Sequence, residues 1–352
     1  MTCSVRLTLA AYAAALCLAA VASAEAVVEG SMPDPAQAWE VRDFSSVEAW
    51  LASTPPGTDG PGDGEDHRPV PVLRAQAWLA RRAGSADRAL ALIDRAIELA
   101  PDRPDLRVDR AAFRSDGIEE AGAFKSLRIA RDVRRDLEHA LAVAPTHTDA
   151  LAALAAFHMR APGIAGGDKD AAGALLGRLG ELAPSRRFFR EAVELADRER
   201  FAEAVDRIAE AIAAAEQPRP NWRIRMGDWL HRLGRDAAAL ETYRSALLEA
   251  PNHSGALYGL GRTAAESGLQ GDAGIDALER FLALPPWPND PEPRRAWWQL
   301  GRIHAHAGCV DAAESAFRRA LALDPDWREP RRSLDRLEED ASPDVRCASE
   351  AE

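Results

Sequence analysis

Residues 294–326 read RRAWWQLGRIHAHAGCVDAAESAFRRALALDPD, and this stretch decides the fold. Large and small side chains recur in it at helical spacing on both sides of a glycine, Gly308. The large positions are Trp297, Leu300 and Phe317, and the small positions are Gly301, Ala313 and Ala320. Pro325 follows the second segment, which a proline cannot continue. The stretch therefore predicts two helices joined by a tight turn.

These residues resemble the tetratricopeptide repeat slot for slot, except that His304 stands where that repeat usually has a tyrosine. The resemblance implies an all-α fold, a right-handed superhelical solenoid of antiparallel helix pairs. No single pair can bury its apolar face, so neighbouring pairs must stack. Small residues at Gly301 and Ala313 let the helices of a pair touch, and Trp297 and Phe317 are expected to fill the space between pairs.

The same spacing recurs along most of the chain. Two further clear units precede residue 294, and a six-residue insertion around Trp287 separates them from the last unit. Four weaker units come earlier, at residues 70–103, at a closing helix over 129–144, at 148–184 and at 185–219. We therefore expect N-terminal repeats over 70–184, C-terminal repeats over 185–326 and a capping helix over 327–340.

The two ends of the chain have a different composition. Residues 1–24 combine Arg6, an apolar run and an Ala-Ser-Ala ending, which is typical of a secretory signal peptide. The alternative is a membrane anchor, but the run is short of the roughly 20 apolar residues that span a bilayer. An N-terminal arm follows at 25–53, with one short helix expected near Ser46 to Leu51, then a flexible linker at 54–69 and, at the other end, a tail at 341–352. A periplasmic or secreted location follows, without membrane insertion after the signal is removed.

Charge and motifs exclude several classes of function. The formal net charge is −12 and there is no dense basic run, which argues against a nucleic-acid ligand. The sequence has no HExxH, no paired-cysteine motif and no GxSxG, and His304 and His306 point in different directions on a helix. We expect no metal, no cofactor and no catalytic residue.

The loop APGIAGGD at 161–168 interrupts the repeat pattern. It lacks the Lys-Ser/Thr pair of a phosphate-binding loop, since Lys169 is followed by Asp170. We expect a widened turn in which glycines adopt positive φ and Asp168 caps the next helix. The loop also resembles secreted bacterial tetratricopeptide proteins with a PG-x-x-GG insertion, a resemblance that adds only fold and location.

In tetratricopeptide domains one stripe of the first helices contacts the ligand. Carried onto this register, the stripe comprises Asn221, Ile224, Asp228, Tyr258, Arg262, Arg295, Trp298 and Arg302. Three arginines around two aromatic rings could hold a carboxylate or an acidic peptide end. The alternative is that Trp298 packs against the insertion and that the arginines are solvated.

Two cysteines follow the signal segment, Cys309 and Cys347. Cys309 falls in the turn of the last unit, and the capping helix returns towards that turn. An oxidising compartment favours a Cys309–Cys347 disulfide. The alternative is two unpaired thiols.

The sequence as a whole predicts a non-enzymatic scaffold of the bacterial envelope or secreted space that binds a peptide or protein segment in a concave groove. The alternative is an accessory subunit of a transport or polysaccharide system that grips a small anionic ligand. An enzyme of unfamiliar type is a third class. The oligomeric state is not encoded in any motif.

Overall fold

The computed structural model of the chain describes residues 33–54, 69–118, 121–287 and 290–340. Within these ranges the chain forms seventeen α-helices and one 3-10 helix, Gly163–Ala165, and contains no β-strand. The predicted all-α fold is confirmed. The signal peptide (1–24) and the tail (341–352) lie outside the described residues, as does the linker apart from Thr54 and Pro69.

The described helices divide into two compact units between Gly173 and Ala174. The first unit contains α1 (Pro35–Val41), α2 (Ser45–Ser53), α3 (Val70–Arg82), α4 (Ala86–Leu99), α5 (Pro104–Ser115), α6 (Ala123–Val143) and α7 (Thr148–Arg160). Helices α3 and α4 form one contacting pair, and α5 and α6 form the next.

The second unit begins within α8 (Lys169–Leu182). It continues with α9 (Pro184–Asp197), α10 (Phe201–Ala213), α11 (Pro220–Arg232), α12 (Asp236–Glu249), α13 (Ser254–Ser267), α14 (Gly271–Ala283), α15 (Pro293–His306), α16 (Val310–Leu323) and α17 (Arg328–Asp340). Each consecutive pair from α9 to α16 is in contact, and α17 packs on α16 as the expected cap.

The turn inside a pair depends on one residue in the left-handed region. Gly84, Gly234 and Gly308 lie at the middle of three-residue turns with φ of 72°, 68° and 73°. Glycine adopts this conformation without a Cβ clash. Such short turns reverse the chain and place the two helices of a pair side by side.

Glycines inside the helices make room for aromatic rings. A Cβ added at Gly227 of α11 would lie 2.8 Å from the ring of Tyr243, and one at Gly259 of α13 would lie 2.5 Å from the same ring. A Cβ at Gly301 would overlap the Phe317 ring in the same way. The structure therefore differs from the expected role of Phe317, because its ring fills the space inside its own pair.

The N-terminal arm contains two helices where one is predicted. Asp34 Oδ1 accepts a hydrogen bond from the backbone N–H of Ala36 at 3.2 Å, and Pro35 occupies the first turn of α1. This Asp-Pro signal was available in the sequence. Phe44 and Val47 of the arm are almost fully buried, and α1 and α2 both contact α3.

The loop at 161–168 has the structure expected of a widened turn. Gly166 adopts φ of 92°, and Asp168 Oδ1 accepts hydrogen bonds from the backbone N–H groups of Asp170 and Ala171. Gly167 lies so close to the Ala161 carbonyl that a side chain would not fit. Backbone geometry therefore explains Gly166 and Gly167, and of the loop glycines only Gly166 adopts the expected positive φ.

Candidate partner-binding site

The predicted stripe lies on the first helices of three pairs in the second unit. Two positions recur in the three repeats, ten and six residues before the glycine that follows the first helix (Gly234, Gly268 or Gly308). They are Ile224 and Asp228 on α11, Tyr258 and Arg262 on α13, and Trp298 and Arg302 on α15. Two members are buried: Ile224 is 8% exposed and Tyr258 is 9% exposed. These two belong to the core more than to an open surface.

Asp228, Arg262 and Tyr243 form a cluster between α11, α12 and α13. The Tyr243 hydroxyl donates to Asp228 Oδ1 at 2.7 Å, and Arg262 Nη2 donates to the same oxygen at 3.0 Å. Burial raises the pKa of Tyr243, and the charge of Asp228 raises it further. Arg262 is therefore already paired with a carboxylate.

Arg302 has acidic and amide neighbours of its own. Its Nη1 donates to Gln299 Oε1 at 3.0 Å and lies 3.7 Å from Glu266 Oε1. Glu266 also contacts His231 Nε2 at 2.9 Å. Burial raises the pKa of Tyr258, and the positive charges of Arg262 and Arg295 oppose that rise.

The stripe is therefore less basic than predicted, because Asp228 lies against Arg262 and Glu266 lies against Arg302. Glu266 lies four and eight residues after Arg262 and Tyr258, so helical spacing alone would have placed it on the stripe. Arg295 is exposed and makes no ion pair within the described ranges.

Trp298 and Arg302 border a cleft of about 720 Å³ against the capping helix. The Trp298 ring contacts that of Trp327 with centroids 5.4 Å apart, and the Arg302 guanidinium lies 5.1 Å from the Trp298 ring. Trp327 directly precedes α17, so the ring partner of Trp298 is the cap and not the insertion. The cleft is completed on α17 by Glu329, Arg332, Ser333, Arg336 and Leu337.

Three stripe residues carry buried polar atoms without a hydrogen-bond partner in the described part of the chain. They are Asn221 Oδ1, Arg262 Nε and Trp298 Nε1. Buried polar groups in folded proteins are nearly always paired, so each such atom requires an explanation. The three atoms lie on three successive first helices of one unit.

The described ranges contain neither a membrane-spanning helix nor a metal-binding cluster. None of the helices there combines the length and apolar character needed to cross a bilayer. No group of three or more His, Cys, Asp or Glu side chains there is arranged to hold a metal ion.

Family comparison agrees with this architecture. A tetratricopeptide repeat model matches residues 294–327, and a second tetratricopeptide repeat model matches 189–254 and 230–291. Residues 189–291 and 294–327 are therefore tetratricopeptide repeats. No curated protein sequence matches this tetratricopeptide repeat chain.

Solved structures share the fold of this tetratricopeptide repeat protein at low identity. The APC/C hetero-tetramer Cut9-Hcn1 is 14% identical over 90% of this chain and 55% of that chain, with a TM-score of 0.51. A monomeric mutant of IFIT1 with Gppp-AAAA is 13% identical over 86% of this chain and 70% of that one, also with a TM-score of 0.51. Pseudomonas aeruginosa pilF is 17% identical over 66% of this chain and 99% of that chain, with a TM-score of 0.45.

This chain spans about half the length of the Cut9-Hcn1 chain that it matches. At 13–14% identity the likeness to the Cut9-Hcn1 and IFIT1 structures shows the fold alone.

Proposed function

We propose that this tetratricopeptide repeat protein is a non-enzymatic scaffold that binds an extended peptide segment of a partner along the stripe of α11, α13 and α15. The repeats themselves indicate a protein-protein interaction scaffold. The observation that carries the finer proposal is the set of three unpaired buried polar atoms on Asn221, Arg262 and Trp298.

The chemistry of these atoms favours a peptide over a small anion. Arg262 Nε and Trp298 Nε1 are donors and need acceptors, whereas the Asn221 amide oxygen accepts. An anion supplies acceptors only. A peptide backbone supplies a carbonyl and an N–H at every residue, so it can pair with all three once side-chain rotation brings these covered atoms to the surface.

A second candidate is a small anionic ligand in the cleft beside α17. Arg302, Arg332 and Arg336 line that cleft against a single acidic residue, Glu329. Trp298, Phe317 and Leu337 would contact an apolar part of the ligand. This arrangement fits an accessory subunit that holds a carboxylate or a phosphate.

We further propose that the scaffold acts in the bacterial envelope or the secreted space. The signal-peptide pattern at residues 1–24 supports this location. Fractionation of cells that express the full chain tests it: a processed protein in the periplasm or medium is expected, and an unprocessed cytoplasmic protein would contradict it.

The stripe is tested by peptides selected from a random display library on the wild-type protein. Trp298→Ala with Arg302→Ala is expected to weaken their binding by about tenfold or more, since aromatic and arginine anchors dominate such interfaces. Trp297→Ala with Arg319→Ala is the matched control, because it removes a second stacked pair, 4.5 Å apart, that is not on the stripe.

Two results would decide against the peptide stripe. Unchanged peptide affinity in the folded Trp298/Arg302 variant would remove the stripe from consideration. Failure of the library to yield any stripe-dependent peptide, together with saturable binding of inorganic phosphate or a dicarboxylate at the arginine-lined cleft, would favour the second candidate.

A further inference from the structure

The N-terminal arm, residues 33–54, lies against the first helix pair of the first unit. The Trp39 ring of α1 contacts the Trp78 ring of α3 with centroids 5.6 Å apart, and Trp78 in turn contacts Phe113 of α5 at 5.1 Å. The Arg81 guanidinium lies 4.1 Å from the Trp39 ring and 4.9 Å from the Trp78 ring. The arm therefore adds one tryptophan to an aromatic and arginine surface.

Charge is complementary across this contact. Asp34 of the arm pairs with Arg74 of α3 at 3.2 Å, and Glu48 pairs with Arg82 at 2.8 Å. Both carboxylates come from the arm and both guanidinium groups come from α3. Such complementarity fixes the register of a bound segment.

The receiving residues occupy the ligand slots of the repeat. Gly84 aligns with Gly308. Arg74 lies ten residues before Gly84, as Trp298 lies before Gly308, and Trp78 lies six residues before Gly84, as Arg302 lies before Gly308. At these two positions the first repeat has arginine and then tryptophan, and the last repeat has tryptophan and then arginine. The arm thus covers the stripe of the first repeat.

The receiving surface keeps its buried polar groups paired without the arm. Arg74 Nε donates to Asp109 Oδ2 at 2.6 Å, and Arg81 donates to both carboxylate oxygens of Asp116 at 2.7 and 2.8 Å. The Trp78 indole also donates to Asp109, at 3.0 Å. Departure of the arm would therefore leave Arg74 and Arg81 paired and remove the Glu48 partner of Arg82. The exposed aromatic rings could then receive another segment.

We propose that the arm is a built-in ligand of the first-repeat stripe, and that this stripe binds an acidic, tryptophan-bearing helical segment of another protein in its place. The arm is tethered through residues 55–68, so it competes at an effective concentration on the order of millimolar. An external segment then binds weakly until the arm is released. This second surface goes beyond the proposed stripe of α11, α13 and α15.

The test uses the full chain and a fluorescent synthetic peptide of residues 33–54. Asp34→Ala with Trp39→Ala in the chain removes the ion pair of its own arm with Arg74 and the ring contact with Trp78. The peptide is expected to bind this released variant about tenfold or more tightly than the wild type, measured by fluorescence anisotropy. Equal affinity for the two chains would overturn the proposal.

Four variants, two of the peptide and two of the chain, locate the binding. A peptide with Trp39→Ala should lose binding, whereas one with Trp50→Ala, a tryptophan without a ring contact in the described structure, should keep it within about threefold. Arg81→Ala added to the released chain should weaken binding by about tenfold, while Trp298→Ala with Arg302→Ala should leave it unchanged. Loss of binding only in the Trp298/Arg302 variant would assign the peptide to the other stripe and refute the proposal.

A cleavable chain gives an independent answer if the released variant does not fold. A protease site is placed within residues 55–68 of the otherwise unaltered protein, and the chain is cut. The cut arm should dissociate on dilution and exchange with labelled peptide. An arm that stays bound and does not exchange would be a fixed part of the first repeat, which contradicts a replaceable ligand.

Discussion

At the scale of single residues, one turn departs from the glycine used elsewhere. Glu199 lies at the middle of the turn between α9 and α10 with φ of 60°, where Gly84, Gly234 and Gly308 occupy the matching position of other pairs. Its backbone N–H donates to the carbonyl three residues earlier, as that of Gly234 does. The conformation is therefore imposed by the fold, although a side chain opposes it.

Glu199→Gly should raise the free energy of unfolding by about 1 kcal/mol, because the left-handed conformation costs a non-glycine residue about that much. Urea denaturation followed by circular dichroism measures the change. Gly234→Ala is the mirror control: nothing lies within 4 Å of its Cβ position, so its destabilisation of about 1 kcal/mol reports backbone strain alone. A Glu199→Gly protein less stable than the wild type would contradict the account.

Tyr243 joins packing and charge at a single residue. It is fully buried, and burial raises the pKa of its hydroxyl above the ordinary value of 10.0. Its neutral form is therefore favoured in the folded protein, while the unfolded chain ionises normally above pH 10. The stabilisation that the protonated Tyr243 hydroxyl gives the folded state is fully present below pH 10 and is lost as pH rises beyond it.

The stability difference between wild type and Tyr243→Phe should accordingly change with pH. Between pH 7 and 9 it should be constant, at about 1 kcal/mol for the lost hydrogen bond to Asp228. Above pH 10 the wild type should lose about 1.4 kcal/mol per pH unit relative to the variant. If the difference in unfolding free energy between the two proteins stays constant up to pH 11, the hydroxyl titrates alike in the folded and unfolded states, which contradicts the prediction.

At the scale of elements, helical spacing predicts the pairs well and the contacts between side chains poorly. The spacing of Gly301, Gly308 and Phe317 identified α15 and α16, and the cap at α17 begins within one residue of its expected start. Helix α6 starts six residues earlier than expected. Ala123, Lys125, Leu127 and Arg128 are good helix formers, which the spacing of buried residues does not reveal.

In the candidate site, too, the positions of the residues could be predicted from the sequence, whereas their side-chain contacts could not. The stripe itself follows from position in the repeat, which fixes the direction of each side chain. The pairing of Arg302 with Glu266 depends on the relative placement of two helices and on side-chain rotamers. Neither of these is encoded in local spacing.

The fit between α15 and α16 is tested by Gly301→Leu. The Phe317 ring occupies the space where a Cβ would lie, so the variant should lose about 1–3 kcal/mol from overpacking, and stacking of the last pairs should weaken. Thermal denaturation measures the loss. Gly177→Ala on α8 is the control: nothing lies within 4 Å of its Cβ position, so this variant should be neutral or stabilising. Equal melting temperatures for the wild type and Gly301→Leu would refute the register.

At the scale of the whole molecule, the end of the repeat array depends on how α17 is held. Arg336 and Leu337, near the end of α17, share a cleft with Gly308 and Val310, which flank Cys309. The cap therefore returns to the turn of the last pair, as the topology predicted. Cys347 lies outside the described residues, so its pairing with Cys309 stays a prediction.

A Cys309–Cys347 bridge would close a loop of about 39 residues and contribute about 4 kcal/mol in the chain-entropy model. Thiol labelling of the denatured, unreduced mature protein measures it. Monomers with no reactive thiol are expected, and Cys309→Ser should expose one thiol and lower the melting temperature. Two labelled thiols per wild-type chain would rule the bridge out.

The short turns have a consequence for how such a chain can change in evolution. A three-residue turn with a left-handed middle residue, as at 233–235, tolerates neither insertion nor deletion without misaligning its two helices. The connections between pairs differ instead, from 250–253 to 284–292. New sequence can accumulate there, and in the longer link at 116–122 inside the pair α5/α6, while the pairs closed by three-residue turns are inherited intact. A longer relative should therefore differ from this chain outside those short turns.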